Sequence, residues 1–171
     1  YAPCWQKQAF CTNPENPQYF YETPWAVYPD FGKVIGLQFV EGSDKDMNKP
    51  ESIIISESYA RKLFPKGNAL GSYLYTEGDN GRVKGIDKFR ICGIFKDLPE
   101  NCQFKNDMFI RMSDYQKDDW ASQNYFAFFR LKPRVSAADI NQQIEASGAN
   151  KRLNIVDKGN QRLYVFPIKK L

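Results

Sequence analysis

The sequence contains no histidine among its 171 residues. Histidine is the commonest general base near pH 7 and the commonest metal ligand in proteins. Its absence excludes histidine-based catalytic triads and zinc centres of the usual kind. The sequence also lacks a basic-then-apolar leader and any apolar run near the roughly 20 residues that span a bilayer. We therefore expect a soluble piece of a larger protein.

Cysteine is scarce, and its positions leave two interpretations open. No two of the four cysteines form a C-x-x-C pair, and no other soft ligand lies near them, so we expect no metal cluster. Their short separations permit two disulfides, which would suit an oxidising compartment. Buried free thiols are the other interpretation. The pairs in question are Cys4 with Cys11 and Cys92 with Cys102.

The charge is nearly balanced, with 24 basic and 20 acidic residues. The denser basic stretches fall at every-second or turn spacing, which is typical of a solvated strand face. No recognition motif accompanies them, so we expect no nucleic-acid partner. These stretches comprise Arg82, Lys84, Lys88 and Arg90, then Arg130, Lys132 and Arg134.

Two acidic patterns imitate functional sites. Asp44-x-Asp46-x-Asn48 resembles the opening of a calcium loop, but Lys49 stands where glycine is required and Ile55 where a bidentate glutamate is required. Asp118 and Asp119 could offer paired carboxylates, yet adjacent helical residues point about 100° apart. We assign no catalytic, cofactor-binding or metal-binding residue, and we expect a protein that is not an enzyme.

The pattern of apolar residues predicts a mixed α+β fold, without the regular strand–helix alternation of a nucleotide-binding fold. Residues 1–18 are rich in proline and turn formers and are predicted to be a loop. A short helical turn is predicted at 31–35, and further helices begin after the N-caps Ser56, Ser113 and Ser136. A tight turn is expected at 79–81. Strands are predicted at 19–28, 37–40, 51–56, 72–76, 89–96, 108–112, 124–131, 154–156 and 162–166.

The strand at 89–96 shows strict alternation. Phe89, Ile91, Gly93 and Phe95 are predicted to face the core, with the residues between them on the opposite face. The run Ile53-Ile54-Ile55 instead predicts a strand that is buried on both faces.

Residues 52–101 carry a recognisable motif. An apolar strand leads into Ser-Glu-x-x-Ala-x-x-Leu-Phe, a hydrophobic–glycine pair follows, and a later strand ends in Gly-Ile-x-x-Asp-x-Pro. This arrangement resembles the MacB-like periplasmic core domain of FtsX-like ABC-transporter permeases, and weaker similarity extends it over residues 28–168. Pro65, Ala69 and Ser72 depart from the family's pattern. The matching residues are Ser56, Glu57, Ala60, Leu63, Phe64, Leu70, Gly71, Gly93, Ile94, Asp97 and Pro99.

The resemblance implies a two-lobed module. Residues 1–50 and 113–171 would form a porter-like α/β lobe, and residues 51–112 an inserted, β-rich, sabre-like lobe. Such a module lies on the periplasmic face of the bacterial inner membrane and is not catalytic. Its implied partners are the transmembrane helices and cytoplasmic ATPase of the same transporter, a second permease copy and an adaptor protein.

Aromatic residues make up 15% of the chain and support an alternative. Exposed rings could serve as stacking platforms in a secreted carbohydrate- or peptide-binding module. Most of the rings fall in predicted strands and are expected in the core. Trp5, Trp25 and Trp120 lie near predicted loops and are the candidates for such a platform.

Overall fold

A computed structural model describes residues 2–3, 7–76, 88–102, 104–112, 126–157 and 162–167. The chain divides into two compact units. The first comprises residues 1–117 with 124–127, and the second comprises 118–123 with 128–171.

Nine strands in the described part of the first unit form one mixed sheet in the order β1-β4-β9-β6-β8-β7-β2-β3, with β5 also paired to β8. They confirm the predicted α+β class. Their bounds are β1 Ala2–Pro3, β2 Gln8–Cys11, β3 Phe20–Glu22, β4 Trp25–Val27, β5 Phe39–Gly42, β6 Ser52–Ser56, β7 Tyr73–Thr76, β8 Lys88–Phe95 and β9 Met108–Arg111.

The helices of the described residues are short. The first unit contains α1 (Phe31–Ile35), a 3-10 helix (Asp44–Asn48) and α2 (Glu57–Leu63), and the second contains α3 (Ala137–Ala146) and α4 (Ala149–Asp157). The Ser136 hydroxyl accepts from the Asp139 N–H, and the Asp139 carboxylate accepts in return from the Ser136 N–H. This capping box confirms the predicted start of α3.

The sheet curls until its two ends approach each other. Strands β3 and β4 are six positions apart in the sheet, which would separate them by roughly 29 Å if it were flat. Only two residues join Glu22 to Trp25, and three peptide links span at most about 11 Å. Helix α2 packs on this curled sheet, since Tyr59 and Ala60 share a core with Phe10 of β2.

Strand β6 lies at the centre of the sheet and is buried along its whole length. It pairs in parallel with β8 and antiparallel with β9. The three isoleucines of β6 are each no more than 1% exposed. This confirms the prediction of a strand that is buried on both faces.

Strand β8 departs from its predicted one-sided alternation. Opposite β6, Ile53 pairs with Ile91 but Ile54 pairs with Gly93, so Cys92 is an extra residue at a bulge. Ile94 consequently joins Phe89 and Ile91 in one core cluster. The prediction that Phe89, Ile91, Gly93 and Phe95 share a face was wrong, because the bulge shifts the alternation by one residue.

A second group of aromatic rings packs around Phe109. The Phe109 ring centroid lies 5.0 Å from that of Phe31 and 5.4 Å from that of Phe95, while Phe104 packs edge-on against Phe31 at 6.2 Å. In β9 this ring alternates with Met108 and Ile110, which belong to the cluster around α2. The sheet therefore has a packed core on each face.

The amino-terminal region was predicted wrongly. Residues 1–18 include the buried strand β2, whose Phe10 is fully buried and stacks on Phe20 at 5.9 Å. The strand predicted at 19–28 is two strands, because Thr23 and Pro24 interrupt it. The proline and turn-forming residues of this region flank the short strands and hid them from sequence reasoning.

The carboxyl-terminal strands were also predicted wrongly. Residues 126–131 form no strand, and Phe126 and Phe129 are 53% and 65% exposed. Residues 154–156 belong to helix α4, and 162–166 form neither strand nor helix. The aromatic and β-branched content favoured strands here, but tertiary context overrides such local propensity.

Some sequence predictions fall outside the described residues, namely the turn at 79–81, the helix at 113–120 and the carboxylates Asp118 and Asp119. Strands from either side of residue 50 share the sheet of the first unit. The two lobes at 1–50 with 113–171 and at 51–112 stay a prediction.

Candidate functional site

The carboxyl end of β6 and the start of α2 carry a cluster of polar side chains. Ser56 ends the strand and caps the helix, with its Oγ accepting from the Tyr59 N–H at 3.2 Å. The same hydroxyl donates to Asp107 Oδ1 at 2.6 Å, and the Ser56 N–H donates to the Asp107 carbonyl at 2.9 Å. One buried serine thus joins strand, helix and the loop before β9.

Asp97 holds the first turn of α2 from the other side. Its Oδ1 accepts from the Ser58 N–H at 2.9 Å, and this bond holds the pKa of Asp97 below its usual value. Arg61 lies 3.8 Å from Asp97 Oδ2 and 2.7 Å from Glu57 Oε1. These ion pairs are largely exposed and contribute little to stability. The carboxylate therefore acts chiefly as a second helix cap.

Tyr59 ties α2 to the edge strand β3. Its hydroxyl donates to Glu22 Oε1 at 2.9 Å, and its ring meets Phe20 edge-on at 6.0 Å. Burial, followed by the bond to Glu22, raises the pKa of Tyr59, so this hydroxyl stays protonated at neutral pH. The arrangement holds a helix on a sheet and supplies no activated nucleophile.

Two glycines permit close approaches beside the bulge of β8. A Cβ on Gly93 would lie 2.7 Å from the Phe39 ring and 2.9 Å from the Ser43 carbonyl oxygen. Gly42 has φ +65°, and a Cβ there would overlap the Cys92 carbonyl oxygen. Side chains at either position would therefore push β5 away from β8.

The calcium-like residues Asp44, Asp46 and Asn48 lie on the 3-10 helix, where Asp46 faces two cations. Asp46 Oδ1 is 3.3 Å from Lys49 Nζ, and Asp46 Oδ2 is 3.8 Å from Arg90 Nη1. The Asp46 carbonyl accepts from Ser52 Oγ at 2.6 Å. In the part of the chain that the structure describes, no three acidic, cysteine or histidine side chains converge as metal ligands would.

The described cysteines are free thiols. Cys11 and Cys92 are buried and Cys102 is half-buried. The alternative of buried free thiols is therefore confirmed for Cys11 and Cys92, whereas Cys102 is a free thiol that is half-buried. Cys4 lies outside the described residues. Burial raises the pKa of Cys92 to about 11, and its Sγ lies 3.4 Å from the Ile53 carbonyl oxygen.

Some aromatic side chains of the first unit contact other rings or a basic side chain. Trp25 meets Phe109 edge-on at 6.1 Å and so belongs to the second core. Lys88 Nζ lies 5.2 Å above the Tyr73 ring. Trp5, Trp120, Arg82 and Lys84 lie outside the described residues.

The second unit contains an arrangement that sequence reasoning missed. Asn141 of α3 accepts from the Val165 N–H at 2.6 Å and donates to the Val165 carbonyl at 2.8 Å. Asn150 of α4 accepts from the Leu163 N–H at 2.7 Å and donates to the Leu163 carbonyl at 3.5 Å. Asparagines on polar helices carry no distinctive signal, and only their nine-residue separation could have drawn attention to them.

Comparison with known families identifies the chain. Residues 11–147 match the model of the MacB-like periplasmic core domain. The chain belongs to this family. The resemblance drawn from the sequence motif is thereby confirmed. No curated protein matches the sequence.

Solved structures share the fold. A domain from Porphyromonas gingivalis, described as part of a permease, is 22% identical with a TM-score of 0.68, covering 86% of this chain and 61% of its own. The periplasmic region of MacB from Actinobacillus actinomycetemcomitans is 12% identical, with a TM-score of 0.52 over 91% and 65%. The extracellular domain of the noncanonic ABC-type transporter YknZ from Gram-positive bacteria is 17% identical, with a TM-score of 0.50 over 90% and 73%.

These comparisons show which fold the chain shares and how much of each similar structure it covers. The chain spans less than two thirds of the length of the first two similar structures. None of the three is described as a carbohydrate- or peptide-binding module, so that alternative gains no support. Among the described residues, no helix combines the length and the low polarity needed to cross a bilayer.

The motif residues of this MacB-like domain serve its fold. Ser56 and Asp97 cap α2, and Gly93 admits the Phe39 ring. Gly71 adopts φ +82° and donates its N–H to the Ile91 carbonyl at 2.8 Å. These motif residues therefore stabilise the fold of the family through helix caps and close packing.

Proposed function

We propose that this chain is part of the extracytoplasmic domain of an ABC-transporter permease and couples ATP hydrolysis to export or to the action of a periplasmic partner. The match to the MacB-like periplasmic core domain over residues 11–147 carries the proposal. Similar folds described as permease and transporter domains support it. ATP would be hydrolysed by a separate cytoplasmic subunit of the same transporter.

In this proposal the domain is a mechanical element and not an enzyme. Ser56, Asp97 and Asn141, for example, are engaged in capping and in bonds to backbone. A sheet with a packed core on each face is suited to transmitting force, since packed interiors deform little. The domain would work with the permease's transmembrane helices, a second permease copy and an adaptor protein.

The location can be tested with one exposed cysteine. Lys66 lies in the exposed turn after α2, whereas Leu74 is fully buried. We expect a membrane-impermeant maleimide to label the Lys66→Cys permease in cells whose outer membrane is permeable. All variants also carry Cys102→Ser, because Cys102 is a half-buried free thiol. The protein with this change alone and its Leu74→Cys variant are the matched controls. Labelling only after lysis of the inner membrane would contradict a periplasmic location.

The coupling can be tested in the intact transporter reconstituted in lipid. A spin label on Lys66→Cys in each permease copy should report an inter-copy distance that changes between the ATP-bound and nucleotide-free states. With an ATPase variant that binds ATP but does not hydrolyse it, the inter-copy distance should stay at the value of one of these states. An invariant distance would contradict coupling, and the absence of any inter-copy signal would contradict the second copy.

A further inference from the structure

The second unit holds residues 162–166 by their backbone. Asn141 and Asn150 each contact both the N–H and the carbonyl of one residue, Val165 and Leu163 respectively. An asparagine amide carries one acceptor and one donor group side by side, which matches these two backbone groups. Each asparagine therefore pairs with the segment as a neighbouring strand would.

This pairing demands an extended chain. The N–H and carbonyl of one residue point to the same edge only in an extended backbone, and successive residues point to opposite edges. Leu163 and Val165 are two residues apart and meet two asparagines on successive helices. The spacing of the asparagines thus matches the two-residue period of a β-strand.

Glu145 fixes the orientation of one of the two amides. Its Oε1 accepts from Asn150 Nδ2 at 2.9 Å, and a carboxylate can only accept. Asn150 Oδ1 is consequently directed to the Leu163 N–H. Glu145 also accepts from the Arg162 guanidinium at 3.1 Å. With the segment in place Asn150 is 8% exposed, and its bond to Glu145 holds the amide in this orientation.

Apart from Arg162, which pairs with Glu145, and the half-buried Val165, the side chains of the segment contribute little to this contact. Tyr164 and Phe166 are each 67% exposed, and Leu163 is 43% exposed. The rings of Tyr164 and Phe166 lie 5.9 Å apart and pack on each other. What the two asparagines recognise is therefore the conformation of the backbone and not its sequence.

We propose that Asn141 and Asn150 form a binding site for an extended polypeptide backbone, occupied in cis by residues 162–166 and open to an extended peptide in trans. The site selects a β conformation with little regard to side chains. An extended segment of a partner protein would displace the backbone of residues 162–166 from the two asparagines. This inference is independent of the export role proposed above.

The test uses the intact chain carrying Leu163→Pro and Val165→Pro, because proline removes both donors and empties the site. The probe is the capped hexapeptide Arg-Leu-Tyr-Val-Phe-Pro. Binding is followed by NMR on the side-chain amides of Asn141 and Asn150. A peptide with the four central side chains reordered should bind within about threefold of the parent, since each bond is to backbone.

Backbone methylation supplies the decisive controls. Methylating the backbone nitrogens of the third and fifth residues, Tyr and Phe, leaves the N–H groups of the second and fourth residues, Leu and Val, on the edge that meets the asparagines. Binding of this peptide should persist. Methylating all four central nitrogens should weaken binding about 30-fold, the equivalent of two hydrogen bonds of about 1 kcal/mol each. A reordered peptide that fails to bind, a fully methylated peptide that binds unchanged, or no shift at either asparagine would overturn the proposal.

A second variant with a single proline keeps the test informative if two prolines disturb α3 and α4. Val165→Pro alone leaves the contact between Leu163 and Asn150 in place. In this variant the unmodified peptide, at low concentration, should shift the NMR signal of the Asn141 side-chain amide and leave the signal of the Asn150 side-chain amide unchanged. The reverse order of shifts would contradict the assignment of each asparagine to its residue.

Discussion

The hydroxyl of Ser56 donates a 2.6 Å hydrogen bond to Asp107 Oδ1 while it accepts from the N–H of Tyr59. Residues 56 and 107 are far apart in the chain but adjacent at the end of the central strand. The bond therefore fixes where β6 stops, where α2 starts and how the loop enters β9. A side chain that is 1% exposed and makes both contacts is a sensitive point for stability.

Replacing Ser56 with alanine should destabilise the domain by about 1–2 kcal/mol, because an N-cap is lost and the Asp107 carboxylate loses a buried partner. Urea unfolding at pH 7 measures the change. Thr12→Ala, at an exposed position after β2, is the matched control and should alter stability by less than about 0.5 kcal/mol. Equal effects of the two substitutions would contradict the capping role.

The contribution of Asp97 should depend on pH. The N–H of Ser58 lowers the pKa of Asp97 in the folded state from a reference of 3.8, so the folded state favours the carboxylate. The resulting stabilisation is present above about pH 4 and is lost as the pH falls through the folded-state pKa. Asp97→Asn should therefore destabilise at pH 7, by at most about 1 kcal/mol because the side chain is 46% exposed.

Unfolding of Asp97→Asn and of the parent chain at pH 7 and pH 3 checks this expectation. The difference in unfolding free energy between the two should shrink at pH 3, because this pH lies below the reference pKa of 3.8 at which the carboxyl of the unfolded chain takes up a proton. Asp97→Ala serves as the control, since it also removes the acceptor that asparagine keeps, and should cost more at both pH values. A difference for Asp97→Asn that grows on acidification would show that the sign is wrong.

The centre of the first unit could be predicted from the sequence because its signals are local. The isoleucines of β6 are apolar and β-branched, and Ser56 is an N-cap followed by residues with helical spacing. The bulge at Cys92 could not be predicted, since it depends on the pairing of β8 with β6. Strand β2 was hidden for a similar reason, because its four residues gain their stability from the neighbouring strands β3 and β7.

The second unit was harder to predict because side chains replace strand pairing there. The sequence from Arg162 to Phe166 has the composition of a strand, and its backbone does make paired bonds. Its partners are the amides of Asn141 and Asn150 and not another strand. A polar side chain that imitates backbone leaves no periodic pattern in the sequence.

Gly93→Ala should cost more stability than Gly67→Ala. At Gly93 the new methyl group would meet the Phe39 ring and the Ser43 carbonyl, and overpacking of this kind costs typically about 1–3 kcal/mol. At Gly67 nothing lies within 4 Å, so only the left-handed φ of +83° opposes alanine, at about 1 kcal/mol. Thermal unfolding of both variants separates the steric cost from the conformational one. A smaller loss at Gly93 would mean that β5 moves aside easily.

The thiols should differ in reactivity, and the difference tests the packing around the bulge of β8. Burial raises the pKa of Cys92 to about 11, so at pH 8 only about one thiol in a thousand is the reactive thiolate. Cys102 is half-buried, and its sulfur is more accessible. Brief treatment with iodoacetamide at pH 8, followed by peptide mass spectrometry, should modify Cys102 well before Cys92. Unfolding in urea should abolish the difference, since it removes the burial that raises the Cys92 pKa.

Rapid modification of Cys92 in the folded chain would show that β8 opens next to the bulge. Resistance of both thiols even after denaturation would show that they are paired.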